Sequence, residues 1–307
     1  MTLYQHGVVA EASSDALFLT LNRTAQVDAD SRIRQLLSRI PQIQAQYRNE
    51  YPQAALSLVV AIGSSYWDSL IAEDRPAQLR AFPAMESGGF VAPDTPADLL
   101  FHIRSERHDL NFELGRALLA ELQGAAELVE EVHGFRYLDS RDLTGFVDGT
   151  ENPEGDHRAE VAVIGNEDSA FAGGSYIHLQ RYVHDLPHWS LQSLTTQEDT
   201  IGRSKAENVE YASDKKAPTA HTKRTSLKDA EGRSIEILRH SMPYGMMKEC
   251  GLIFASYCRS ADNFRLMLES MIEGDKQGHR DHLLRYTRAV TGQSFFAPST
   301  EFLCQLG

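Results

Sequence analysis

The sequence predicts an α+β fold in which one unit of order β-α-β-β-α-β occurs twice. Two observations lead there. Strand-like alternation and helix-like periodicity follow each other in that order over the first 140 residues, and again over residues 141–307. The chain is also long enough, at 307 residues, for two such units to bury a core.

In the first half, Leu17, Leu19 and Leu21 alternate within Ala16–Leu21 and predict a strand. Ile33, Leu36, Leu37, Ile40, Ile43 and Tyr47 then recur at helical spacing over 30–47, behind Asp28, Asp30 and Ser31 as a cap cluster. Leu56–Ile62 and Asp98–Arg104 read as strands. Leu110, Leu114, Leu118 and Leu122 make one stripe of a helix over Asp109–Gln123, which Gly124 ends. Ala126–Val132 is the last strand.

The second half opens with alternation over Ser175–Val183. Asp185 is placed to cap a helix beginning Leu186-Pro187, since proline is tolerated in a first turn. Ser234–Ser241 and Leu252–Cys258 predict strands, and Asp262–Glu273 carries Phe264, Met267, Leu268, Met271 and Ile272 on one helix face, closed by Gly274. A short strand near Leu284–Val290 completes the set. The order of elements repeats, though residue-level similarity between halves is not evident. A βαββαβ unit used twice is a ferredoxin-like duplication, with two antiparallel sheets forming a barrel-like core. Two long connections stand out, Trp67–Pro93 and the polar segment 200–233, and a connection that long is functional or disordered.

Composition narrows the function. Apolar residues are 42% and charged residues 24%, as in a soluble globular protein. Lysine plus arginine number 30 against 43 acidic residues, and the net charge of −13 argues against nucleic-acid binding. No stretch is long and apolar enough for a transmembrane helix, and residues 1–18 show no secretory signal. Cys250, Cys258 and Cys304 fit neither a disulfide framework nor a metal pattern, and read as buried free thiols of a cytoplasmic protein. No tail follows the last structured segment.

Three segments carry chemical potential. Gly145-Phe146-Val147-Asp148-Gly149-Thr150-Glu151-Asn152-Pro153 brackets one carboxylate with two glycines. Glycine lets backbone approach a flat ligand, although on spacing alone the stretch reads first as a turn-rich linker. Strand parity sets Arg239 on the same face as Ile235, Ile237 and Ser241. There it meets an anion or simply reaches solvent at a strand end. His221 sits in the polar insertion, one of 12 histidines, most of which serve as surface or hydrogen-bonded residues. The pairs His184/His188 and His279/His282 lack a third ligand and read as surface histidines on helices.

Taken together these segments resemble the dye-decolourising peroxidases, in the bacterial branch without a secretion signal. Gly145-Phe146-Val147-Asp148-Gly149 matches that family's GxxDG motif, and Thr150-Glu151-Asn152-Pro153 its continuation. His221 fits the haem-ligating histidine, Arg239 the arginine of a following strand, and Ser241 the polar residue two positions on. The resemblance spans essentially the whole chain. It implies one haem b per chain, bound in the C-terminal half, with His221 on the iron. Asp148, Arg239 and Ser241 would form the catalytic face, and Gly149, Thr150, Glu151, Arg203, Leu252 and Phe254 would contact the cofactor. Arg203 would pair with a propionate, Leu252 and Phe254 would form an apolar lid, and Glu236 is a candidate acceptor behind His221. It further implies reduction of hydrogen peroxide and oxidation of small aromatic or dye-like donors, or porphyrins, through a ferryl intermediate. Bulky donors would draw on a surface radical site, for which Tyr137 is one candidate among 11 tyrosines and two tryptophans. A homo-oligomer is expected from exposed sheet edges. The alternatives are a haem-binding protein for iron release or storage, and a ferredoxin-like binding module without cofactor.

Overall fold

Several of the longer strands bury both faces, and the two faces go to different cores. The computed structural model describes residues 4–72 and 74–307, so the first three residues of the stretch read for a leader lie outside the described residues. The first half comprises β1 (Asp15–Arg23), α1 (Ala29–Glu50), β2 (Ser57–Gly63), α2 (Trp67–Leu70), β3 (Met85–Ser87), β4 (Phe90–Ala92), β5 (Leu99–Ser105), α3 (His108–Glu121) and β6 (Ala126–Phe135). The second comprises α4 (His157–Ala162), β7 (Ser175–His184), α5 (Leu186–Ser190), α6 (Leu194–Ile201), α7 (His221–Thr225), β8 (Leu238–Arg239), β9 (Met242–Met246), β10 (Glu249–Cys258), α8 (Ala261–Ile272), β11 (Thr287–Ala289), β12 (Gln293–Ala297) and α9 (Thr300–Cys304).

The first half forms a sheet of order β6-β1-β5-β2 and the second one of order β12-β7-β10-β9. Each places its fourth strand beside its first, then its third, then its second, which is the ferredoxin-like arrangement. The two sheets join at both edges, through Phe295 opposite Gly63 and Gly134 opposite Tyr244, and so close into an eight-stranded barrel. Closure leaves these strands without free edges. β3 and β4 form a separate two-stranded ribbon within the first long connection.

Pleating divides the side chains. Ala16 and Phe18 of β1 join Val59, Leu100, Ile177, Ile253 and Phe295 in one core, whereas Leu17, Leu19 and Leu21 pack with Ile33, Leu36, Leu37 and Ile40 of α1 and Leu114 and Leu118 of α3. The second sheet is covered less completely. The counterpart of α1 is broken into the short α5 and α6, while α8 packs Phe264 and Leu268 into its own small core. A cavity lies where that cover is missing.

Three sequence expectations change. Ser234–Ser241 is not one strand: residues 234–237 lie outside the barrel sheets, with Ser234 bridged to Lys228 and Ile235 N–H donating to the Leu227 carbonyl, β8 is two residues long, and β9 starts at Met242. Backbone pairing resumes irregularly there, with His240 N–H donating to the Ala255 carbonyl while the Ser241 hydroxyl accepts from Ala255 N–H. The segment Leu284–Val290 holds the three-residue β11, and the fourth strand of the unit is β12, further on. Only Cys258 is a buried thiol; Cys250 is half-buried and Cys304 exposed. Among the described residues no helix is long and apolar enough to cross a membrane.

Candidate active site

The crossing between halves is a knot of turns. Asp142 N–H donates to the Phe146 carbonyl and Gly145 N–H to that of Asp142, both at 2.8 Å, and Asp148 N–H reaches the Ser140 carbonyl at 3.0 Å. Arg141 braces the turn by donating to the carbonyls of Gly145 (2.7 Å) and Lys205 (2.8 Å). Gly145 and Gly149 take φ of +89° and +79°, a region costly for side chains with a Cβ. Asp148 is thereby fixed, with Oδ1 accepting Gly149 N–H at 2.7 Å. Its Oδ2 has no partner among the described residues.

Arg239 faces Asp148 with Nη1 3.8 Å from Oδ1, an ion pair in which both side chains are about three-quarters buried. Asn152, four residues beyond Asp148, clamps the Arg239 backbone: its Oδ1 accepts Arg239 N–H at 2.9 Å and its Nδ2 donates to the Arg239 carbonyl at 2.8 Å. One turn thus sets both members of the pair. Sequence reasoning missed Asn152, although it stood within the quoted motif.

His221 opens α7. Its Nδ1 lies 2.6 Å from Asp281 Oδ2, and Asp281 is wholly buried. Asp281 is held in turn, with Oδ1 accepting Leu283 N–H at 2.9 Å and its own N–H donating to the Met271 carbonyl at 2.9 Å. The Nε2 of His221 has no partner among the described residues. Glu236 is therefore not the acceptor behind His221; its carboxylate pairs with His157 at 3.1 Å. Asp281 lies in the polar run His279-Arg280-Asp281-His282, which reads as surface, and its only sequence signal was a capping position before Leu283.

A cavity of about 380 Å³ gathers these groups. Asp148, Gly149, Thr150, Glu151, Arg203, His221, Arg239, Leu252 and Phe254 all line it. Leu252 and Phe254 stand on the outer face of β10, opposite Tyr182 and Gln180 of β7. Burial and the nearby Asp281 charge push the Tyr182 phenol up, so it stays protonated. Arg203 donates to Glu151 (2.7 Å) and Glu210 (2.9 Å) at the rim, and Asn208 Nδ2 donates to Thr150 Oγ1 at 3.0 Å. The buried Gln180 Nε2 and Thr222 Oγ1 have no partner among the described residues. Ser241 does not line this cavity; it lines a neighbouring one.

His184 departs from the surface reading. It ends β7, its side chain is 5% exposed, and Nε2 pairs with Asp142 at 3.0 Å while Nδ1 meets Thr287 Oγ1 at 2.8 Å. Burial opposes ionisation of Asp142, but His184 and the Thr144 donors outweigh it and hold the carboxyl below its usual range.

Known proteins give this geometry its context. A profile described as "Dyp-type peroxidase, N-terminal" matches residues 5–136, and one described as "Dyp-type peroxidase, C-terminal" matches residues 139–302. A crystal structure of a dyp-type peroxidase protein from Shewanella oneidensis superposes with a TM-score of 0.96 at 49% identity, covering 99% of each chain. A variant of DypB from Rhodococcus jostii RHA1, in complex with heme, superposes at 0.95 with 40% identity over 100% of each chain. A dye-decolorizing peroxidase of Mycolicibacterium paratuberculosis is 41% identical over 298 residues, 96% of this chain and 84% of the relative. With both profiles matched in order and these relatives aligned nearly end to end, the chain belongs to the dye-decolourising (Dyp-type) peroxidases, a family of haem-dependent enzymes.

Proposed function

We propose that the larger cavity would hold one haem b per chain, with His221 Nε2 as the iron ligand and Asp148 and Arg239 of the same cavity wall serving the reaction with peroxide. The chain then reduces hydrogen peroxide and oxidises small aromatic or dye-like donors. The observation that carries this reading is the state of His221. A wholly buried carboxylate engages Nδ1, which orients the ring and leaves Nε2, without a partner among the described residues, beside the cavity. The walls fit a flat macrocycle: Leu252, Phe254, Ile237, Met267 and Met271 are apolar, and Arg203 supplies a guanidinium suited to a propionate at the rim.

The haem, when bound, supplies the redox chemistry, taking up the oxidising power of peroxide and returning it to donors one electron at a time. The protein moves the proton. Asp148 Oδ2, which has no partner among the described residues, would accept a proton from one peroxide oxygen and return it to the other. Arg239 places fixed positive charge beside the negative charge that builds as the O–O bond breaks. Asn152 holds the Arg239 backbone in register with the Asp148 turn. Ser241 acts by position, since its hydroxyl is engaged by Ala255 N–H and shapes the strand break next to Arg239. Three unpaired thiols support a reducing, cytoplasmic compartment, and the exposed Val129, Met246 and Met247 support contact between copies in a homo-oligomer.

Titration with haem, followed by absorption, tests the assignment. Wild type gains an intense Soret band and His221→Ala does not. Arg239→Leu retains the band but reacts with peroxide at least about 100-fold more slowly, as when one charge-stabilising donor is removed from a transition state. A His221→Ala protein with the wild-type spectrum overturns the ligand assignment.

A further inference from the structure

A second cavity, of about 280 Å³, lies on the other side of Asp148 and Arg239, and these two residues and Gly149 line both spaces. Its charge is unusual. Arg104, Arg136, Arg141, Arg158 and Arg239 line it against three carboxylates, those of Glu11, Asp148 and Glu154. Exposure tilts the balance further. Arg104 and Arg158 are 3% and 7% exposed, whereas the Glu11 side chain is 80% exposed and Glu154 is exposed. Solvent therefore screens those two acids far more than the guanidiniums.

The buried cations are held mainly by neutral groups. Arg104 donates to His240 Nδ1 at 2.7 Å and to the Gly7 carbonyl, has no carboxylate partner among the described residues, and leaves its buried Nε unpartnered. Arg158 donates to the carbonyls of Val9 and Ala10 and reaches only the exposed Glu11, at 3.3 Å. Arg141 is held by the two carbonyls already described. His240 donates Nε2–H to the Val8 carbonyl and accepts from Arg104 at Nδ1, so it adds no anion. Burial brings Arg104 down to about 10, against the opposing influence of Tyr257, and it is still cationic at neutral pH. Buried positive charge in excess is costly, and a small anion relieves it.

We propose that this cavity binds a small monoanion of halide size, held by the guanidiniums of Arg104 and Arg158 beside Asp148 and Arg239. It is separate from the cofactor cavity. An anion there obstructs whatever approaches Asp148 and Arg239 from that side, and so acts as a brake on peroxide.

Bromide-81 NMR of the holoenzyme at constant ionic strength tests the site. Wild type is expected to broaden the bromide line saturably, with the haem absorption bands unmoved. Arg158→Gln weakens binding roughly tenfold or more, as expected for loss of a charge-assisted hydrogen bond. Ser140→Asp, at an exposed position of the lining where φ of +60° suits aspartate, adds a carboxylate and abolishes the broadening; it decides the matter should Arg158→Gln fail to fold. Absence of saturable broadening in wild type overturns the proposal. So does broadening unchanged by Ser140→Asp, or broadening that moves the haem bands, which places bromide on the iron. The readout does not use turnover, so its failure leaves the cofactor assignment standing.

Discussion

Asp281 shows how a residue acquires a role that its neighbours in sequence do not announce. It sits 60 positions from His221, yet the two side chains meet at 2.6 Å with Asp281 wholly buried. A carboxylate in that position keeps Nδ1 as the donor and Nε2 as the free lone pair. Asp281→Asn replaces the anion with a neutral amide and is expected to weaken haem binding roughly 10- to 100-fold, as for second-layer partners of metal ligands. Competitive transfer of haem to an apo-globin measures it, and an unchanged transfer rate would mean that His221 needs no such support. Asp148, Arg239 and His221 were singled out through the family resemblance of three separated segments, since spacing alone reads them as a linker, a strand end and a surface histidine. Asp281 and Asn152 were not, because each acts through a contact that only folding creates.

At the scale of elements, regular strands and long helices were legible and the interrupted ones were not. α1 follows helical periodicity directly, and β2 and β5 stand out as short continuous apolar runs because both of their faces are buried. The β8–β9 break did not, because a side-chain hydroxyl, that of Ser241, replaces a backbone partner for Ala255. The seam between β7 and β10 depends on close backbone approach at Gly251, where an added Cβ would stand 1.9 Å from the Tyr182 carbonyl. Gly251→Ala is therefore expected to cost roughly 1–3 kcal/mol, the range for overpacking a tight site, and to lower the denaturation midpoint. Leu252 opposes Tyr182 on the same seam, so haem affinity should fall with it. A midpoint equal to wild type would show that the strands can part without loss.

For the whole molecule, packing on both sides of the sheets buries polar groups that an open sheet would leave wet. His102 and His240 are buried, with Arg104 beside them, and on the outer face His178 is covered by α8, stacking on Phe264 at 4.2 Å. Burial pushes all three below their usual range, His178 to about 3, and Arg104 adds to the effect on the other two. The unfolded chain protonates histidine at about 6.5. Between pH 6.5 and about 3 the unfolded state therefore holds more protons, and stability falls as pH drops through that window. It is fully present above about pH 7. Thermal melts of the holoenzyme should be level from pH 8 to 7 and decline from about 6.5, above the carboxylate range, by up to about 1.4 kcal/mol per pH unit for each histidine. A midpoint unchanged down to pH 5 would contradict burial of the neutral rings.

The sequence by itself determined the repeated βαββαβ order, because periodicity is local and acts between residues a few positions apart, and it carried three motifs that family resemblance, not spacing, singled out. Tertiary structure alone decided which strand edges join the two sheets, that Asp281 rather than Glu236 stands behind His221, and that arginines from distant segments share a cavity with Asp148. Those outcomes depend on which distant groups exclude water together, and spacing along a chain carries no record of that.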